Sequence, residues 1–82
     1  MPQSERTEIM KTLLKWLESK EKGVTLSAII THTKVEITQL GATTNTIRKY
    51  VRDLHSSGLI EFKQPFWKIS KFGKEWLERY YI

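Results

Sequence analysis

The spacing of apolar residues changes at Gly58, and that change limits what this chain can fold into more than any other feature. Before it, apolar residues recur every three or four positions, as on a helix face. After it, Leu59-Ile60-Glu61-Phe62-Lys63 and Phe66-Trp67-Lys68-Ile69-Ser70 alternate. Ile60 and Phe62 oppose Glu61 and Lys63, while Trp67 and Ile69 oppose Lys68 and Ser70. Gln64-Pro65 between the two runs predicts a hairpin over about 59–70. A lone two-stranded hairpin is marginal in water, so this one must lean on the helices around it.

Three helical segments precede the hairpin and one follows. The first is predicted over about 5–22, with Ser4 as cap and Glu5 and Glu8 near the positive end of its dipole. Ile9, Met10, Leu13, Leu14, Trp16 and Leu17 make its apolar face, and Gly23 stops it. That face is wide for one flank of a small domain. It serves either a broad core contact or, through Trp16 or Leu14, a second copy of the chain. Val24-Thr25 reads as a short extra strand, and Thr25 caps a second helix carrying Leu26, Ile29 and Ile30. From Thr31 to Thr38 two patterns compete. The threonines, Val35 and Ile37 disfavour helix and alternate like a strand, whereas Leu26, Ile30, Thr33, Ile37 and Leu40 keep helical spacing. The adopted reading ends the second helix near residue 33 and follows it with a long connection. After the hairpin, Ser70 caps a last helix over about 71–81, with Phe72, Trp76, Leu77 and Tyr80 as its apolar face.

The third helix, about 44–57, has two faces of different chemistry. At about 100° per residue, Ile47, Tyr50, Val51 and Leu54 share one sector. Asn45, Arg48, Lys49 and Arg52 share another, almost opposite. Thr43 precedes the helix as a cap, and Gly58 follows its last apolar turn, where a left-handed residue is cheapest as glycine. Leu40-Gly41-Ala42 before the cap suits the tight turn of a helix-turn-helix. One face can pack on a core while the other offers three cations and an amide. A helix in a DNA major groove uses such groups: cations for phosphates and guanine edges, an amide for adenine.

Charge is distributed to match. The 82 residues carry a net +5. Residues 43–74 hold seven cations (Arg48, Lys49, Arg52, Lys63, Lys68, Lys71, Lys74) against two anions, whereas residues 1–42 hold six against five. A basic surface confined to one region is the footprint of a polyanion partner. The length predicts one domain, 1–82, burying roughly 60–65% of its unfolded surface. With no cysteine, disulfides and thiolate metal sites are excluded. His32 and His55 lie far apart without a local carboxylate pattern, so no metal and no cofactor is expected. No apolar run is long enough to cross a bilayer, and no secretory leader is visible, so no membrane partner is expected either. No Gly-rich phosphate loop, paired catalytic carboxylates or nucleophile–base arrangement is present, so the chain is not expected to be an enzyme.

At this point the chain resembles the winged helix-turn-helix family of DNA-binding proteins. The residues that carry the resemblance are Leu40-Gly41-Ala42-Thr43-Thr44-Asn45-Thr46-Ile47-Arg48-Lys49-Tyr50-Val51-Arg52-Asp53-Leu54, then Gly58-Leu59-Ile60-Glu61, then Trp67-Lys68-Ile69-Ser70-Lys71-Phe72-Gly73. They are similar to the family's turn, recognition helix, entry into the wing, and wing end running into a final helix. The compact one-domain form looks most like small regulators of archaea and their viruses. One spacing departs from the family pattern. Thr25-Leu26-Ser27 and Leu40-Gly41 are several residues further apart, so either the second helix is extended or the turn is a loop.

The resemblance implies a mostly α fold with a small β-hairpin, α-α-α-β-β-α, and a transcriptional regulator of cytoplasmic, nucleoid-associated location. It places Thr44, Asn45, Arg48, Lys49 and Arg52 toward double-stranded DNA. Arg48 and Arg52 are candidates for guanine edges or flanking phosphates, and Asn45 for an adenine edge. Thr43 and Thr44 can donate to phosphate at the helix N-terminus. Lys63, Gln64 and Lys68 in the wing reach an adjacent phosphate or the minor groove, or else serve as solvated strand-edge residues. A homodimer is a further expectation, with Trp16, Trp76, Tyr80 and Tyr81 as its surface. The alternative function is a protein-interaction adaptor within a larger assembly. Single-stranded binding with Phe66 or Trp67 as stacking platforms is a third option.

Overall fold

A computed structural model describes the backbone of residues 2–80 and the side chains of residues 6–79. The chain is mostly helical with one two-stranded antiparallel hairpin. Its order is α1 (Pro2–Glu18), α2 (Leu26–Gln39), α3 (Thr44–Ser56), β1 (Ile60–Lys63), β2 (Phe66–Ile69) and α4 (Lys71–Tyr80).

The apolar stripe of α1 organises the rest. Leu13, Leu14 and Leu17 are fully buried and Ile9 nearly so. Around them α1 packs on α2, α3, α4 and β2. Ile29 and Ile37 from α2, Ile47, Val51 and Leu54 from α3, Ile60 and Ile69 from the hairpin and Leu77 from α4 close the core. Each fully buried aliphatic side chain stabilises the fold by about 1.5–3 kcal/mol relative to exposure.

α1 begins earlier and ends earlier than its sequence suggests. Its first residue is Pro2, so Ser4 lies inside the helix and is not its cap. A proline suits a first helical position, because its φ is preset and its missing N–H has no intrahelical partner to lose. The helix stops at Glu18 instead of continuing to about residue 22. Ser19 turns its hydroxyl onto the carbonyl of Trp16 at 2.6 Å, and residues 19–22 offer no apolar side chain whose burial would reward another turn.

α2 is the larger correction. It does not end near residue 33 but runs to Gln39, and no long connection follows. The expected helix-breaking residues are placed so that their cost is offset. Thr33 is 1% exposed, and its hydroxyl donates to the Ile29 carbonyl at 2.6 Å, leaving no buried polar group unmatched. Ile37 completes the buried Ile29–Thr33–Ile37 face, while Val35 points outward at 66% exposure. The strand-like alternation of Val35 and Ile37 is therefore a coincidence of helical positions two apart.

The turn between α2 and α3 is tight. Gly41 adopts φ +87°. Its N–H donates to the Thr38 carbonyl at 2.9 Å, and the Ala42 N–H donates to the Ile37 carbonyl at 3.2 Å. That pair of bonds is a Schellman closure, which needs a left-handed residue and so favours glycine. α3 ends in the same way at Gly58, with Leu59 N–H donating to the Leu54 carbonyl at 2.9 Å.

In the hairpin, Ile60 pairs with Ile69, Glu61 with Lys68, Phe62 with Trp67 and Lys63 with Phe66. Val24 adds one antiparallel bridge on the far side of β2, exchanging two hydrogen bonds of 2.8 and 2.7 Å with Trp67. Because Trp67 spends its backbone groups on Val24, the Phe62–Trp67 pair is the closer, non-hydrogen-bonded kind. The ring centroids stand 4.3 Å apart.

α4 meets the hairpin backbone at Gly73, which is buried. A Cβ there would overlap the Leu59 carbonyl oxygen and lie 2.6 Å from Cγ1 of Ile69. This close approach rotates α4 so that Leu77 is buried, Trp76 is half-buried and Phe72 is 69% exposed. Phe72 does not belong to the packed face on which its spacing from Trp76 had placed it.

Candidate nucleic-acid interface

α3 separates its two chemistries as a rigid body. Ile47, Val51 and Leu54 are buried, and Tyr50 is half-buried beside Arg6, whose guanidinium carbon sits 6.0 Å from the ring centre. On the other side Asn45, Arg48, Lys49 and Arg52 are all exposed. Among the described residues, none of these three cations lies within ion-pair or hydrogen-bond distance of a partner. Their charge is not neutralised within the molecule, and because they stay hydrated the free protein bears no desolvation cost for them. Both properties suit a surface that binds an external anion.

The N-terminus of α3 is built by two threonines. The Thr43 hydroxyl accepts from the Thr46 N–H at 3.4 Å, and the Thr46 hydroxyl accepts from the Thr43 N–H at 3.4 Å. The two oxygens stand 3.2 Å apart. When Thr46 donates across that gap, the exposed Thr43 hydroxyl keeps its own proton for an outside acceptor. Thr44 is half-buried and so less open than the other residues of this set.

Lys63 and Gln64 are exposed at the tip of the hairpin. Lys68 is half-buried and stands opposite Glu61 in the ladder. An opposite charge so placed offsets part of its field, which makes Lys68 the weakest of the hairpin cations for an external contact. The hairpin is tied to the end of α3 through His55, whose ring meets Trp67 edge-on at 5.4 Å. His55 is exposed and lies three residues beyond Arg52, so it continues the same helix stripe. From Asn45 to His55 the stripe is roughly 15 Å long at 1.5 Å per residue.

The expected self-association surface is divided. Trp16 is half-buried and stacks on His32 of its own chain at 5.3 Å, with 19° between the rings, and the Lys20 ammonium lies 5.5 Å from the Trp16 ring centre. Trp76 is half-buried against the core. The side chain of Tyr80 and the whole of Tyr81 lie outside the described residues. Three residues stand out only in the structure: His55 as the link to the hairpin, and Phe62 and Phe72 as exposed rings. Gly73 is the sequence signal for Phe72, since a glycine inside a helical pattern marks a close approach that fixes which face turns inward.

Among the described residues no helix is long and apolar enough to cross a membrane, and no group of His, Cys, Asp or Glu is arranged to hold a metal ion. Comparison with protein-family models, with curated proteins and with solved structures gave no match.

Proposed function

We propose that this chain binds double-stranded DNA as a winged helix-turn-helix protein and acts as a transcriptional regulator. α3 enters the major groove and the hairpin, as wing, contacts the flanking backbone. The observation that carries this reading is the pairing of opposites on α3. Ile47, Val51 and Leu54 anchor it in the core, while Asn45, Arg48, Lys49 and Arg52 face solvent without partners among the described residues. Arg48 and Arg52 are assigned to guanine edges or phosphates, Asn45 to an adenine edge, and Thr43 and Thr44 to phosphate at the helix start. Lys63 and Gln64 extend the contact to an adjacent phosphate, with Lys68 a minor contributor. Two copies paired through the α4 side would present two such helices to half-sites about one helical turn apart.

Titration of the protein against selected duplexes at several salt concentrations tests the proposal. Affinity should fall by about 0.9 log units per log salt for each phosphate neutralised. Equal affinity for duplex after both Arg48 and Arg52 become alanine would sink it. A protein-interaction adaptor is the second reading, favoured by the exposure of Phe66, Phe72 and Val35. It predicts partner binding that survives high salt and no affinity for duplex.

A further inference from the structure

An open groove of about 640 Å³ lies between the end of α3, the hairpin and the start of α4. Gly58, Ile60, Phe62 and Phe72 line it, and Lys63 and Lys71 bring two positive charges against the one negative charge of Glu61. Phe62 is 42% exposed and Phe72 69% exposed. Neither ring is needed to seal the core. Phe62 has one neighbour ring, Trp67, and Phe72 has no ring contact among the described residues.

We infer that this groove takes an unpaired nucleobase from a strand that leaves the duplex held on α3. The inference rests on the duplex-binding reading and names a second ligand site beside it. Two observations select this occupant. The first is continuity. His55 lines the groove and is also the last member of the exposed stripe that holds Arg48 and Arg52, so a phosphate backbone following the stripe is delivered to the groove mouth. The second is the combination of groups. Exposed aromatic faces beside lysines are the means by which proteins hold single strands, because every base has a π-face and every linkage a charge. Paired bases inside a duplex cannot reach these rings. An unpaired base can, and the rings offer no hydrogen-bond readout, so the site accepts any of the four.

The test compares one duplex in blunt form with the same duplex carrying a short unpaired extension labelled with 2-aminopurine. Anisotropy reads affinity and fluorescence reads stacking. The extension should tighten binding by about fivefold to a hundredfold for one stacked base, with quenching of the label. Phe72→Ala should remove that gain and the quenching while leaving blunt-duplex affinity unchanged. Its exposure makes it the decisive variant. Phe62→Ala also loosens the Trp67 contact, so circular dichroism must accompany it. Equal affinity for the two duplexes, or retained quenching in Phe72→Ala, overturns the groove assignment and leaves the duplex reading standing. Binding to neither form overturns both. Sedimentation that shows a dimer in the parent and a monomer in Phe72→Ala assigns the ring to self-association and overturns the groove assignment as well.

Discussion

The hydroxyl of Ser70 donates to the carbonyl oxygen of Gly58 at 2.5 Å, joining the start of α4 to the end of α3 across the hairpin. The Ser70 hydroxyl oxygen in turn accepts from the Gly73 N–H at 3.1 Å, so Ser70 is also the cap of α4. Its backbone N–H donates to the Leu59 carbonyl at 3.0 Å. One buried residue thus sets the position of the hairpin base relative to the cationic helix.

Ser70→Ala should therefore cost more than an ordinary surface cap. It removes the cap acceptor and leaves the Gly58 carbonyl without this donor, a loss of about 1–3 kcal/mol. Urea unfolding should show a lower midpoint with an unchanged slope. An unchanged midpoint would mean that the hairpin base is held by its apolar contacts alone.

Gly73→Ala sets two effects against each other. Alanine favours helix by about 1 kcal/mol over glycine. The added methyl, however, would collide with the Leu59 carbonyl oxygen, a backbone atom that has little room to move. Overpacking of this kind costs about 1–3 kcal/mol, so a lower melting temperature is expected. A rise would show that α4 does not approach the hairpin this closely.

The length of α2 is open to a paired measurement. Ile37 is fully buried and Val35 is 66% exposed. Ile37→Ala should destabilise by about 2–5 kcal/mol, whereas Val35→Ala should stay within about 0.5 kcal/mol. Similar costs at both positions would fit an irregular segment after residue 33 and contradict the helix. Amide exchange at residues 34–39 gives an independent reading.

Arg48→Ala and Arg52→Ala separate binding from folding. Neither side chain has a partner among the described residues, so stability should change by less than about 0.5 kcal/mol. Under the proposed function each loses about 1–3 kcal/mol of duplex affinity where it reads a base, and Lys63→Ala lowers the salt slope by about 1. Chemical denaturation and duplex titration of the same preparations check both halves.

The features that could be read along the chain are those whose cause is local. The two faces of α3 follow from residues three and four apart, and its ends from Thr43 and Gly58, whose preferences depend on a few neighbouring backbone groups. The hairpin follows from alternation on either side of Gln64-Pro65. Where two local patterns were equally good, reading failed. Residues 31–38 fit both periods, and only burial of Thr33 and Ile37 against the other helices decides for helix. Phe72 misled for a related reason. Its spacing from Trp76 is helical, but the face that turns inward is chosen by Gly73 against the Leu59 carbonyl, a contact 14 residues apart in the chain.

By itself the sequence determined the mostly helical class, the hairpin and the segregation of cations on α3, because periodicity and capping act within a turn or two. The tertiary structure alone decided how far α2 extends, that Val24 bridges Trp67, that Trp16 spends one face on His32, and that Phe62 and Phe72 are left open beside His55. Each of these depends on which distant surfaces meet, and burial free energy is assigned only when they do.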